Sequence, residues 1–494
     1  MVSMPLLLSK LRKAALDQDV APVLITVAVS AMLAMARGGL SVSLSLLIAL
    51  IIAMQVALKL YLPFYEKAIP IEWLERGGKR DGAYFPMMAL ALSPVPVLEG
   101  ALSPLGWLVT VFVAAWLVPP FYRLAIRLRG KGHLWKQHLE KVRDHRPLVA
   151  VHVSGTAGST SGYQINQWLP VLEQLDVPVV VILRERGIAA VVAETALPIL
   201  YVRNAAHVEQ VLETGIRTVL YPANPMKNIQ LFRHFRINHF FINHGESDKA
   251  VNQSKFLMAY DKILVGGPLA ERRLRQAGLP VREGQVEHVG RPQAEMLLQR
   301  RQGTAPIQTI LYAPTWEGFK ESVDYSSIGR FSARTLSDLW NSNHYRILIK
   351  PHPYSGVRDK AKKIEVNRLK HLCEKNGHEF LDPESSILDA MNRSDLLITD
   401  ISSVLNDYLV TGKPIVLCVT DKMAGVDLAE EFPSSRAAYT LPYSQDPGAL
   451  ELIRRIDEHD ALHAAREEIR ADSLGSFEHG ALKRFKEVVE RSVS

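Results

Sequence analysis

Three short polar stretches, each directly behind an apolar run, carry side chains able to move a proton or hold a phosphate. The first is Asn243-His244-Gly245-Glu246-Ser247-Asp248-Lys249, which follows His239–Asn243. Gly245 permits a tight turn that sets His244 at a strand end. An imidazole there suits general-base work on a hydroxyl, since it titrates near neutral pH. Lys249 could neutralise a phosphate. The same stretch also reads as a turn capped by His244, with Glu246 and Asp248 solvated. The second is Ile349-Lys350-Pro351-His352-Pro353. Two prolines stiffen the chain around His352, and a rigid Lys350/His352 pair suits a diphosphate. A rigid turn with a surface histidine is the other reading. In the third, the apolar run Leu396–Thr399 leads into Asp400, with Ser402 and Ser403 opening a helix that continues to Asp407 and Tyr408. Hydroxyls and free N–H groups at a helix start attract anions. An ordinary N-cap by Asp400 or Ser402 fits as well. Ala313-Pro314-Thr315-Trp316, behind another apolar run, would line the same cleft.

Other chemistries lack their residues. There is no HExxH, no GxxxxGK[ST] and no acidic pair in a metal-binding context, so neither a metal nor a cofactor is expected. Glycines 155, 158 and 162 do not form GxGxxG, and the loop they occupy would be mobile and near an acceptor. The two cysteines, Cys373 and Cys418, allow no disulfide framework or CxxC site and suit a reducing compartment. Net charge is +7. The excess includes a basic run from Arg123 to Arg146 behind the last apolar segment, which suits an anionic membrane surface. No zinc finger, RNA-binding signature or basic–aromatic stripe is present, and nucleic acid is not expected as a partner.

The elements that must position these residues are α/β. Short β-branched runs alternate with amphipathic stretches beyond Arg146. Strands are expected at Leu148–Val153, Val177–Leu183, Ile199–Val202, Thr218–Tyr221, His239–Asn243 and Ile263–Gly266. A second series is expected at Thr309–Tyr312, Arg346–Lys350, Leu396–Thr399 and Ile415–Val419. Such alternation gives parallel sheets covered by helices, and two series give two Rossmann-like domains, over 146–290 and 306–494, joined by a linker from Gly290 to Pro306. Ligands of such sheets sit beyond the carboxyl ends of the strands, where the polar stretches fall. A helix over Leu474–Val493 closes the chain.

Residues 1–130 read as a membrane region. Apolar segments run from Ala21 to Ala36 and from Leu40 to Tyr61. A third begins near Ala83 and a fourth ends near Tyr122, interrupted by Pro94, Pro96, Glu99 and Pro104. Four short spans fit, and three or a re-entrant third are the alternatives. Lys and Arg cluster in the N-terminal tail, in the second loop and behind the fourth segment. A multi-pass protein of the cell membrane with its α/β part in the cytoplasm is therefore expected.

In this order, His244-Gly245 with Lys249, Gly290-Arg291-Pro292, Tyr312-Ala313-Pro314-Thr315-Trp316, Lys350-Pro351-His352-Pro353, and Thr399-Asp400-Ile401-Ser402-Ser403 with Asp407-Tyr408 resemble the CDP-glycerol glycerophosphotransferases of teichoic acid synthesis. The resemblance covers about Asn224 to Thr420. It implies a GT-B-like pair of Rossmann-type domains, no required metal, and a CDP-glycerol or similar CDP-alditol donor. A lipid-linked or membrane-bound acceptor would take the polyol phosphate. It implies that His244 deprotonates the acceptor hydroxyl, that His352 assists departure of CMP, and that Lys350, Asp400, Ser402 and Ser403 hold donor phosphates. Gly245, Lys249, Thr315 and Asp407 would support them. One departure stands out: the family commonly continues His-Gly with Thr-Pro-Leu-Lys, and here Glu246-Ser247-Asp248-Lys249 adds two acids that could raise the pKa of His244 or orient it. Two other readings are a GT-B glycosyltransferase or epimerase using a UDP-sugar, and a non-catalytic, membrane-tethered nucleotide-binding protein.

Overall fold

Stiff β-branched side chains pack well on a pleated surface, and strands rich in them are covered on both faces in parallel sheets. The computed structural model describes residues 71–74, 122, 132–155, 162–249, 254–301, 305–318, 321–342, 344–383, 385–443 and 448–494. The chain divides into two units, Met1–Lys141 and Val142–Ser494. The first contains strand β1 (Ile71–Leu74). The expected membrane spans lie outside the described residues, apart from Tyr122 at the end of the fourth. Among the described residues, no helix is long and apolar enough to cross a membrane.

The second unit holds two parallel sheets. Its first half contains β2 (Val149–Val153), β3 (Val179–Leu183), β4 (Ile199–Val202), β5 (Thr218–Tyr221), β6 (Asn238–Phe241), β7 (Lys262–Val265) and β8 (Val286–His288), in the spatial order β4-β3-β2-β5-β6-β7-β8. Its second half contains β9 (Thr309–Ala313), β10 (Arg346–Ile349), β11 (Glu379–Phe380), β12 (Leu396–Thr399), β13 (Ile415–Val419) and β14 (Tyr439–Pro442), in the order β11-β10-β9-β12-β13-β14. In both halves the chain winds outward one way, then returns to the first strand and winds the other way. The reversal falls between β2 and β5, and between β9 and β12. A crevice opens at such a reversal, beyond the carboxyl ends of the strands.

Alternation along each strand divides the core of the second half between two faces. Leu311, Leu348, Leu397 and Leu417 pack on one face. Ile310, Tyr312, Ile347, Ile349, Ile398 and Val416 pack on the other. Register then decides which loops meet. Thr399 pairs with Ala313, so Asp400 and Pro314-Thr315 leave the sheet side by side. Ile349 pairs with Tyr312, which brings Lys350 out beside them. Tyr221 pairs with Phe241, which brings Pro222 next to the turn that carries His244.

Several elements differ from expectation. The edge strands β8, β11 and β14 were not anticipated; they are two to four residues long and lack a continuous apolar run. The expected linker is packed structure at its start: Pro292 opens helix Pro292–Leu297, and Gln293 and Ala294 are fully buried. The expected closing helix forms, but starts at Gly480 and not at Leu474. Helix His463–Leu474 stops at Gly475, whose φ of 73° lies in the left-handed region, and a separate helix runs from Gly480 to Arg491. That last helix returns to the first half. Phe485 packs on Trp168 at 5.1 Å, the Arg217 guanidinium donates to the Val493 carbonyl at 2.8 Å, and Ser492 bonds Thr218.

Candidate active site

His244 follows β6 on a turn whose left-handed residue is Asn243, at φ 53°, not Gly245. Asparagine tolerates this conformation because its short amide can bond locally. Here the amide accepts the His244 N–H at 2.9 Å and donates to the Gly245 carbonyl at 2.8 Å. Gly245 is required for a different reason from the one expected. A Cβ there would lie 2.6 Å from Cβ of Ser403, so the missing side chain is what lets the two halves close together.

The His244 ring donates from Nδ1 to the Pro222 carbonyl at 2.9 Å. A carbonyl can only accept, so the proton is on Nδ1 and the neutral ring keeps a lone pair on Nε2. Burial pushes its pKa down to about 4, the Pro222 carbonyl opposes this, and the Arg291 cation adds to it. His352 is arranged the opposite way: its Nδ1 accepts the Tyr354 N–H at 3.0 Å, leaving a neutral ring with its proton on Nε2. Burial, Lys249, Lys350 and His244 all hold its pKa well below the ordinary value. One imidazole is thus set to take a proton at Nε2 and the other to donate from Nε2.

Cations and hydroxyls complete the site. Lys249 reaches across from the first half to donate to the Thr315 hydroxyl at 2.7 Å, and burial pushes its pKa down to about 8 against the pull of Asp400 and Asp324. Ser402 caps the helix Ser403–Tyr408 in extended conformation, without a side-chain capping bond, and both serines are partly exposed. Two residues expected at the phosphate are tied into the surrounding loops. Asp400 is fully buried, and its carboxylate accepts the N–H groups of Thr315 at 2.8 Å and Ser327 at 3.1 Å. It anchors the loops around the site, and burial raises its pKa to about 6 against those bonds. Lys350 is also buried and donates to the Pro383 carbonyl at 2.6 Å, tying down the loop before His352.

Glu246 and Asp248 touch neither imidazole. Glu246 accepts the Gly266 N–H at 3.1 Å. Asp248 pairs with Arg273 at 2.8 Å and accepts the Ser434 N–H at 2.8 Å, joining the two halves. The departure from the family pattern is therefore built into the scaffold.

Of the residues that hold His244 from behind, sequence reasoning gave Asp407 a supporting role and quoted Arg291 in a turn, but assigned nothing to Gln167 or Trp168. Arg291 is buried and bonds Asp407 through Nε at 2.7 Å, while its other arm donates to the His244 carbonyl at 2.6 Å and to Gln167 Oε1 at 3.0 Å. Gln167 donates to the same His244 carbonyl at 2.6 Å, and Trp168 to the Asn243 carbonyl at 2.6 Å. Trp316 stacks on His352 with ring centroids 5.9 Å apart. The signal available was the Gly-Arg-Pro turn and the aromatic content behind the glycine-rich loop; neither indicates a partner.

Residues 242–433, which carry all these groups except Gln167, Trp168, Pro222 and Ser434, match the model of the CDP-Glycerol:Poly(glycerophosphate) glycerophosphotransferase family. The chain thus carries a CDP-glycerol glycerophosphotransferase-like segment, and that family is one of enzymes. The teichoic acid ribitol-phosphate polymerase TarL of Staphylococcus aureus (strain NCTC 8325 / PS 47) is 24% identical over 197 residues, which are 37% of this chain and 31% of TarL. The chain therefore matches less than a third of that relative's length. A solved structure of the wall teichoic acid polymerase TagF, a variant soaked with CDPG, superposes with a TM-score of 0.50 at 15% identity. The match covers 76% of this chain and 96% of that one, and supports a GT-B-like α/β fold of parallel sheets.

Proposed function

We propose that the chain transfers a polyol phosphate, such as glycerol phosphate, from a CDP-linked donor to a hydroxyl of a membrane-bound acceptor in the synthesis of a teichoic-acid-like polymer. The observation that carries this reading is the pair of imidazoles in opposite tautomers where the two Rossmann halves meet. Nε2 of His244 takes the proton of the acceptor hydroxyl as its oxygen attacks the β-phosphorus. The bond from that phosphorus to CMP breaks, and the Nε2–H of His352 donates to the departing phosphate. Lys249 and the groups at the start of helix Ser403–Tyr408 offset the charge of the transferring group, the main form of help in phosphoryl transfer. Residues 1–130 anchor the enzyme in the cell membrane with the α/β unit on the cytoplasmic side, where nucleotide-activated donors are made.

Donor class is tested by calorimetry of the detergent-solubilised chain with CDP-glycerol, CDP-ribitol and UDP-N-acetylglucosamine. A CDP-alditol is expected to bind, and more weakly after Ser402→Ala with Ser403→Ala. Binding of the UDP-sugar alone would replace this reading with a glycosyltransferase. Unchanged affinity in the double variant would remove the two hydroxyls from the donor site.

A further inference from the structure

A single ring touches both imidazoles. Tyr163 meets His244 edge to face at 5.4 Å between centroids and His352 at 5.3 Å, and it reaches Tyr354 at 6.0 Å. It comes from the first half, in the short helix Tyr163–Asn166 behind the glycine-rich loop, while His352 and Tyr354 belong to the second half. Its segment is fixed on both sides. Gln167 and Trp168 hold the carbonyls of His244 and Asn243, as described above. Asn166 donates to the Val191 carbonyl at 3.0 Å and accepts the Ala193 N–H at 2.9 Å. Gly162 lies so close to Val191 that a Cβ would stand 2.9 Å from its carbonyl oxygen. The Tyr163 hydroxyl accepts from Gln164 Nε2 at 3.3 Å, and the ring packs edge to face on both histidines. With Trp316 stacked on His352, aromatic rings cover part of both proton-transfer groups, which stay partly exposed.

We propose that Tyr163 restricts the access of water to the two imidazoles and thereby directs the transferring group to an alcohol instead of to hydrolysis. This rests on the transferase reading above. Water is the competing nucleophile at any phosphoryl-transfer site, and closing a site against it suppresses that side reaction. In the reaction that Tyr163 prevents, a water oxygen bonds to the β-phosphorus and the bond from that phosphorus to CMP breaks. CMP leaves with the electron pair, the water proton passes to Nε2 of His244, and free polyol phosphate is released. Tyr163 touches the groups that move the proton but moves none itself, which makes it a positioning and excluding residue.

The test compares the full-length, detergent-solubilised protein with its Tyr163→Ala and Tyr163→Phe variants, offered CDP-glycerol with and without a bacterial membrane extract as acceptor source. In Tyr163→Ala, CMP release without extract should rise on the order of tenfold relative to extract-dependent transfer. Tyr163→Phe should restore the wild-type ratio. A wild-type ratio in Tyr163→Ala overturns the proposal. A second readout needs no turnover: diethyl pyrocarbonate labelling of His244 and His352, followed by peptide mass spectrometry. Labelling of both should rise several-fold in Tyr163→Ala and stay low in Tyr163→Phe, and unchanged labelling in Tyr163→Ala also overturns the proposal. If the wild-type protein releases no CMP under any condition, the transferase reading falls, while the labelling still decides whether Tyr163 shields the histidines.

Discussion

Two histidines of ordinary chemistry are given different tasks by one hydrogen bond each. The Pro222 carbonyl takes the Nδ1 proton of His244, and the Tyr354 N–H occupies the Nδ1 lone pair of His352. Burial keeps both rings neutral near pH 7. A base must be unprotonated to act, and with a pKa of about 4 His244 remains competent well below the ordinary 6.5. Lys249 must be protonated to offset phosphate charge, and its pKa of about 8 sets the other limit. The profile of kcat/KM against pH, which reports the free enzyme, should therefore fall as pH drops through about 4 and as it rises through about 8. In Lys249→Arg the alkaline limb should disappear, because guanidinium stays charged. An acidic limb near 6.5 in the wild type would contradict the burial of His244.

At the level of elements, the site depends on two loops from different halves approaching to within contact. Gly245→Ala would drive a methyl group into Ser403. It should cost ~1–3 kcal/mol of stability, as overpacking does, and lower turnover as the halves separate. Arg291 and Asp407 are both about 95% buried, with 5% of each side chain exposed. Arg291→Met should cost ~3–5 kcal/mol in urea unfolding by stranding a buried carboxylate. Adding Asp407→Leu should recover much of that stability but not activity, since the His244 carbonyl has still lost its guanidinium donor. These couplings mark the limit of what the sequence conveys. The strands that carry the site were legible because runs such as VVVIL and LLIT have one plausible fate. The short edges β8, β11 and β14 were not, because their pairing is decided by neighbours and not by local pattern. His244 and His352 could be singled out as chemical groups lying behind apolar strands. Their tautomers could not, since Pro222 and the Tyr354 amide become partners only through register and loop path. The scaffolding bonds of Asp400 were not legible, because a position at a strand end says nothing of the two loop amides, Thr315 and Ser327, that converge on it.

At the scale of the whole molecule, the polypeptide closes on itself: helix Gly480–Arg491 follows the second half but packs on the first. Phe485 is fully buried against Trp168, whose indole N–H holds the turn before His244. Phe485→Ala should destabilise the protein by ~3–5 kcal/mol, read in urea unfolding. It should also slow turnover at temperatures where the fold persists, because the support of the base is loosened. Full activity in a stably folded Phe485→Ala variant would show that the terminal helix stabilises without positioning.

The most direct test is CMP release from CDP-glycerol and CDP-ribitol by the full-length, detergent-solubilised chain, with bacterial membrane extract, for the wild type and His244→Ala. Extract-dependent CMP release is expected with one of the two donors. That release should fall at least a hundredfold in His244→Ala, as for loss of a general base, with donor affinity retained. Equal turnover in His244→Ala, or loss of donor binding in its place, would contradict the assignment of His244 as the base.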